Sequence, residues 1–242
     1  MRMIDIWKLR FANLDFDYDQ SEVEREVDGI TEFFDLSIPD TVLADQWRLP
    51  LFTDEQINNT SVYSSETNEI IHKKYPSWKG CSLTRLDDTR ASMMGAARVR
   101  NNNVKTAWQW RDDLNIPYIR SIVDRFQFRI LHTVRLLIIP EGSIGLVHAD
   151  DWGSYYKQHG FSITLNVRNG GSPIVFLDGD QKHEAWPDKC HVFRDDCWHG
   201  IPQVSSRRIQ IRINGVPDRR HIAGLVRQDD AIWIKDPVDT AA

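Results

Sequence analysis

From residue 133 onward the chain runs in short apolar stretches with a period of two. TVRLLIIP (133–140), SIGLVHAD (143–150), GFSITLNVR (160–168), SPIVFLDG (172–179), KCHVFRDD (189–196) and RRIQIRING (207–215) are rich in β-branched residues and separated by Gly, Pro, Asp or Asn. Runs of this length and composition predict strands. Upstream the period changes. SEVEREVDGITEFFDL (21–36) mixes acidic and apolar residues at roughly helical spacing, with Ser21 as its N-cap. After Pro117, residues Tyr118, Ile119, Ile122, Val123 and Phe126 share one helical face. Residues 44–103 are polar and uneven and predict only short elements. Helices followed by a run of short strands predict a mainly β protein, a sandwich or barrel with the N-terminal helices packed outside. A parallel α/β sheet fits poorly, because no helices alternate with the strands.

Composition narrows the class. With 242 residues, 41% of them hydrophobic and 27% charged, the chain suits one domain with a full core. We divide it into a mixed helical and irregular part (1–130), a β core (131–215) and a C-terminal extension (216–242). A net charge of −5 without a basic face argues against a nucleic-acid binder. No apolar run reaches the ~18 residues of a membrane span. The opening MRMIDIWKLR is too broken by charge for a signal peptide. Three irregularly spaced cysteines, Cys81, Cys190 and Cys197, fit no disulfide framework, so a reducing cytoplasm is expected.

The chemistry begins at LVHADDWG. On a strand His148 and Asp150 point to one face, and two groups that are hard to bury side by side suit a metal ion. A facial triad needs a third ligand downstream. His199, in FRDDCWHGIPQ, stands where a strand gives way to a turn at Gly200 and Pro202; His191, inside that strand, is its rival, and His159 and His183 read as loop residues. The strand that follows begins with two arginines. Arg207 shares a face with Ile209, Ile211 and Ile213, which we expect to line the barrel, whereas Arg208, Gln210 and Arg212 read as solvent-facing. The choice therefore falls on Arg207, with Arg208 left open.

The ordered set of Arg135, Pro140 to Gly142, His148, Asp150, Phe193, His199 and Arg207 resembles the Fe(II)- and 2-oxoglutarate-dependent oxygenases. It looks most like the branch of the aspartyl/asparaginyl β-hydroxylases and proline 3-hydroxylases. The resemblance covers roughly residues 115–215. It implies a double-stranded β-helix (jelly-roll, cupin-like) core in which His148, Asp150 and His199 hold Fe(II) and act as the catalytic set. It also implies that 2-oxoglutarate chelates the iron while an arginine, Arg207, takes its far carboxylate, O2 being the second co-substrate. A carboxylate at position 150 resembles hydroxylases and not halogenases. The expected activity is hydroxylation of an unactivated C–H bond in a small molecule, an amino acid or its derivative, with release of succinate and CO2. A peptide side-chain hydroxylase, an oxidative cyclase or desaturase, or a silent cupin-like metal-binding protein are the alternatives.

Secondary assignments follow from position. Arg135 lies on the face of Leu137 and Ile139, where a buried guanidinium needs an anion from co-substrate, substrate or protein. Thr164 and Asn166 share a face, and one of them is expected at the 2-oxoglutarate. Trp152, Tyr155 and Tyr156 follow the metal pair and are candidates to roof a substrate pocket.

Overall fold

In the computed structural model the described residues are 6–35, 61–64, 69–72, 78–87, 106–148, 161–178, 181–194 and 197–233. The first strands are β1 (Leu9–Asn13), β2 (Phe34–Asp35), β3 (Ser61–Ser64), β4 (Glu69–His72), β5 (Lys79–Ser82), β6 (Thr84–Arg85) and β7 (Gln109–Trp110). The core strands are β8 (Phe128–Ile139), β9 (Gly145–His148), β10 (Phe161–Asn169), β11 (Ile174–Asp178), β12 (Gln181–Ala185), β13 (Cys190–Phe193), β14 (His199–Ile201) and β15 (Arg208–Pro217). A short β16 (Ile232–Trp233) follows. The helices are α1 (Gln20–Asp28), α2 (Pro117–Asp124) and α3 (Arg219–Leu225).

Two antiparallel sheets carry most of these strands, while β3 pairs with β4 and β6 with β7 in two-stranded sheets of their own. The larger has the order β16-β1-β13-β10-β15-β8-β5-β2, and the smaller β12-β11-β14-β9. From β8 to β15 the chain crosses from one sheet to the other at every step except the β11–β12 hairpin. That alternation is the winding of a double-stranded β-helix, the jelly roll.

The large sheet is buried on both faces, and the two faces differ in chemistry. Outward, Val134, Leu136 and Ile138 of β8, Ile163, Leu165 and Val167 of β10, and Ile209, Ile211 and Ile213 of β15 join one apolar core with residues of all three helices. Inward lie the alternate residues, including Thr164, Asn166, Arg208, Gln210, Arg212 and Asn214, all of them buried. Apolar burial on the outer face supplies the main driving force. The inner face holds polar groups that must find partners inside the protein.

Helix α2 buries Ile119, Ile122 and Val123, as its spacing predicts. Its N-cap, Ile116, offers no side-chain bond, and the gap is filled from α1: the Glu26 carboxylate accepts from the backbone N–H groups of Tyr118 (2.7 Å) and Ile119 (2.8 Å). Helix α1 is shorter than expected, and its N-cap is Asp19 rather than Ser21. Asp19 accepts from the backbone N–H groups of Ser21 and Glu22, and Ser21, two residues on, already lies inside the first turn. Strand β1 was not expected. Its run LRFAN is buried throughout and lacks alternation because it extends the large sheet beside β13. His183, expected in a loop, lies on β12, where it pairs with Phe176. No described helix is long and apolar enough to cross a membrane.

Candidate functional site

Two of the three expected metal ligands, His148 and His199, are at paired positions in the small sheet. Strands β9 and β14 are antiparallel neighbours, and His148 and His199 are directly opposite in their ladder. Paired positions share a face of the sheet, so two residues far apart in sequence come to one spot. His199 is buried, and its Nδ1 lies 2.8 Å from the carbonyl oxygen of Cys197. A carbonyl only accepts, so Nδ1 carries the proton and donates, and in the neutral ring Nε2 is the unprotonated nitrogen. Of the three expected donors, His199 is the one whose side chain is described, and an imidazole suits a 2-His-1-carboxylate centre. Asp150, Trp152, Tyr155 and Tyr156 lie outside the described residues, as does His159. Among the described side chains no cluster of three metal-ligating groups occurs.

His199 also faces a small cavity between the sheets, lined among others by Trp78, Thr164, Phe193, Gln210 and Arg212. No carboxylate is among its described lining residues. The Phe176 and Phe193 ring centroids are 6.2 Å apart, and the Phe193 ring is edge-on to His199 at 5.2 Å.

The two arginines that open β15 are placed opposite to expectation. Arg207 is exposed, and Arg208 has no accessible surface at all. Alternation itself holds, but the isoleucine face is the one covered by helices, and the Arg-Gln-Arg-Asn face lines the barrel. Arg208 donates to the backbone oxygen of Ser172 at 3.1 Å. The Gln210 amide lies 3.0 and 3.1 Å from Arg208 Nη2 and Nε, and with its oxygen turned toward the guanidinium it accepts both. Among the described residues no acidic side chain approaches Arg208. Burial without a counter-charge pulls its pKa down from 12.5 to about 9.

The remaining inner-face residues form rows across the large sheet. Arg135 is opposite Arg212, which is opposite Thr164, which is opposite His191. Arg135 therefore lies on the inner face, as its alternation with Leu137 predicts. Asn166 is buried one step away, and its amide is already engaged. Nδ2 donates to the backbone oxygen of Asp188 and to His191 Nδ1 (3.1 Å). That makes Asn166 a support for its neighbours. His191 is buried against Phe11 and Phe193, and burial, then Arg208 and Arg212, push its pKa well below the ordinary histidine value. It sits in the large sheet, whereas His148 and His199 pair in the small one.

Sequence reasoning missed Arg208, Gln210 and Arg212 as interior groups. The signal was present in the strict alternation of polar residues from 208 to 214, but a sheet covered on both sides hides which face is which.

No known family's sequence pattern matches the chain, and no curated protein does. Solved structures are similar at low identity. A Pseudomonas putida prolyl-4-hydroxylase is 12% identical with a TM-score of 0.39, over 88% of this chain and 95% of that one. A prolyl hydroxylase from Trichoplax adhaerens, in complex with a hypoxia inducible factor oxygen degradation domain peptide fragment, is 10% identical at 0.39, over 88% and 86%. An oxidoreductase of the 2OG-Fe(II) oxygenase family from Burkholderia pseudomallei is 11% identical at 0.33, over 67% and 73%. Likeness this slight carries no functional assignment.

Proposed function

We propose that the chain is an Fe(II)- and 2-oxoglutarate-dependent dioxygenase that hydroxylates an unactivated C–H bond of an amino acid or amino-acid-derived small molecule, releasing succinate and CO2. The observation that carries this reading is Arg208, a buried guanidinium that has no carboxylate partner among the described residues and lies on the inner face of the jelly roll whose small sheet pairs His148 with His199. His148, Asp150 and His199 would hold the iron. When bound, the iron supplies the oxidising power, with dioxygen and the 2-oxoacid, to break a strong C–H bond.

The chain's own residues prepare the site. The Cys197 carbonyl fixes the ring of His199 and its tautomer. Arg208 takes the far carboxylate of 2-oxoglutarate as a forked, charge-assisted pair, with Gln210 and the Ser172 carbonyl holding the guanidinium in place. Phe176, Phe193 and Trp78 keep water from the space between. This assigns to Arg208 the role that the face pattern had given to Arg207.

The test compares two neighbouring variants. Under anaerobic conditions with Fe(II), Arg208→Gln weakens 2-oxoglutarate binding by roughly a hundredfold or more, the ~2–5 kcal/mol expected when a buried charge pair loses one partner. Arg207→Gln leaves it within about twofold, as suits an exposed charge. Isothermal titration calorimetry reads both. The reverse pattern, or no change in either variant, contradicts the assignment.

A further inference from the structure

Four residues along β15 from Arg208, on the same inner face, Arg212 belongs to a further row of donors. Arg212 lines the cavity and is 9% exposed; its guanidinium carbon lies 4.6 Å from the centroid of Phe193, and Nε donates to Ser162 Oγ at 3.3 Å. Phe193 in turn meets His199 edge-on, so one phenyl ring separates this cation from the expected iron ligand. Thr164 is the opposite neighbour of Arg212 on β10, also lines the cavity and is 2% exposed. Among the described residues its hydroxyl has no hydrogen-bond partner.

His191 completes the row on β13 opposite Thr164. Its tautomer is fixed by its neighbour. The amide nitrogen of Asn166 donates to the Asp188 carbonyl, which sets the orientation of the amide, and the same nitrogen donates to His191 Nδ1. Nδ1 therefore accepts, and in a ring that burial and two cations keep neutral the proton sits on Nε2. That N–H is buried and, among the described residues, unpartnered. Buried polar atoms of this kind are rare, because each forfeits its bonds to water without replacement.

We propose that Arg212, Thr164 and His191 form a second carboxylate-binding subsite that holds the acid group of the substrate, separate from the Arg208 anchor. A guanidinium, a hydroxyl and an imidazole N–H together offer charge and three kinds of donor, and a carboxylate is the small group that accepts from all of them. The inference rests on the dioxygenase reading for the word substrate, and on the row alone for the word carboxylate. It narrows the substrate class to small organic acids, amino acids among them, whose carboxylate is bound one aromatic ring away from His199. A free amino acid fits that description; an internal residue of a peptide, which has no α-carboxylate, does not.

Acetate is the probe. Protein labelled with nitrogen-15 at histidine is titrated with sodium acetate, against sodium chloride at equal ionic strength. The His191 Nε2–H resonance, assigned by its loss in His191→Phe, is followed by NMR. Acetate shifts it saturably and chloride does not. Thr164→Val weakens the apparent acetate affinity at least fivefold, Arg212→Gln at least tenfold, and Thr164→Ser restores it. Arg208→Gln leaves it within about twofold. The same Thr164→Val protein binds 2-oxoglutarate within about twofold of the parent chain.

A response lost in Arg208→Gln would put acetate at the co-substrate end and overturn the second subsite. So would a Thr164→Val protein that loses 2-oxoglutarate affinity in step, which would assign the row to the co-substrate's own second carboxylate. No saturable shift in the parent chain overturns it outright. A 2-oxoglutarate affinity indifferent to Arg208→Gln would instead count against the dioxygenase reading and leave the acetate result standing.

Discussion

His191 is held neutral by its surroundings, and that has a consequence for stability. Burial is the largest cause of its lowered pKa, followed by the charges of Arg208 and Arg212. In the unfolded chain the same histidine takes up a proton as the pH falls through about 6.5. The folded chain does not, so below that pH the unfolded state binds more protons and stability declines, by up to about 1.4 kcal/mol per pH unit for one group. The contribution is fully present above about pH 6.5 and is lost as the pH falls toward the depressed folded value. His191→Phe keeps the aromatic packing against Phe11 and Phe193 and removes the titration. Urea unfolding from about pH 7 to about pH 5 should therefore give a shallower loss of stability in the variant. Equal slopes would mean that His191 is protonated in the folded protein.

The turn between β10 and β11 makes a further prediction at the scale of elements. Gly170 has φ +73°, and a Cβ there would lie 2.6 Å from Cβ of Arg208. Gly171 has φ +67°, and its Cβ would meet the Ser205 hydroxyl instead. Both alanine variants force a left-handed backbone and lose roughly 1–2 kcal/mol of stability. Only Gly170→Ala displaces the anchor, so it alone should weaken 2-oxoglutarate binding, by about tenfold. Calorimetric titration of the pair checks this; equal affinities would detach the turn from the site. The same scale shows what the sequence disclosed. The strands from β8 to β15 were legible apart from β12 and β14, because alternation and Gly or Pro breaks are local signals. The helix at Pro117 was legible for the same reason. The face of β15 was not, since the helices that cover Ile209, Ile211 and Ile213 come from residues far away in sequence. Strand β1 was not legible either, because its run LRFAN lacks the alternation that marks a half-buried strand.

At the scale of the molecule, the jelly roll separates two tasks. Its outer face, with the helices, carries the apolar burial that stabilises the fold, and its inner face carries cations, amides and histidines that contribute little to stability but can recognise small anions. Winding from sheet to sheet brings His148 and His199 opposite each other and sets Arg208 on the wall of the same interior. The two histidines were readable as candidates, whereas their pairing across β9 and β14 depends on a register that no local pattern encodes. The most direct test of the account is the visible spectrum of the protein mixed anaerobically with Fe(II) and 2-oxoglutarate. We predict a weak charge-transfer band in the green that is lost in His199→Ala and weakened in Arg208→Gln. Protein that demonstrably holds iron yet gives no band on adding 2-oxoglutarate would contradict the dioxygenase assignment and leave a metal-binding jelly roll of another kind.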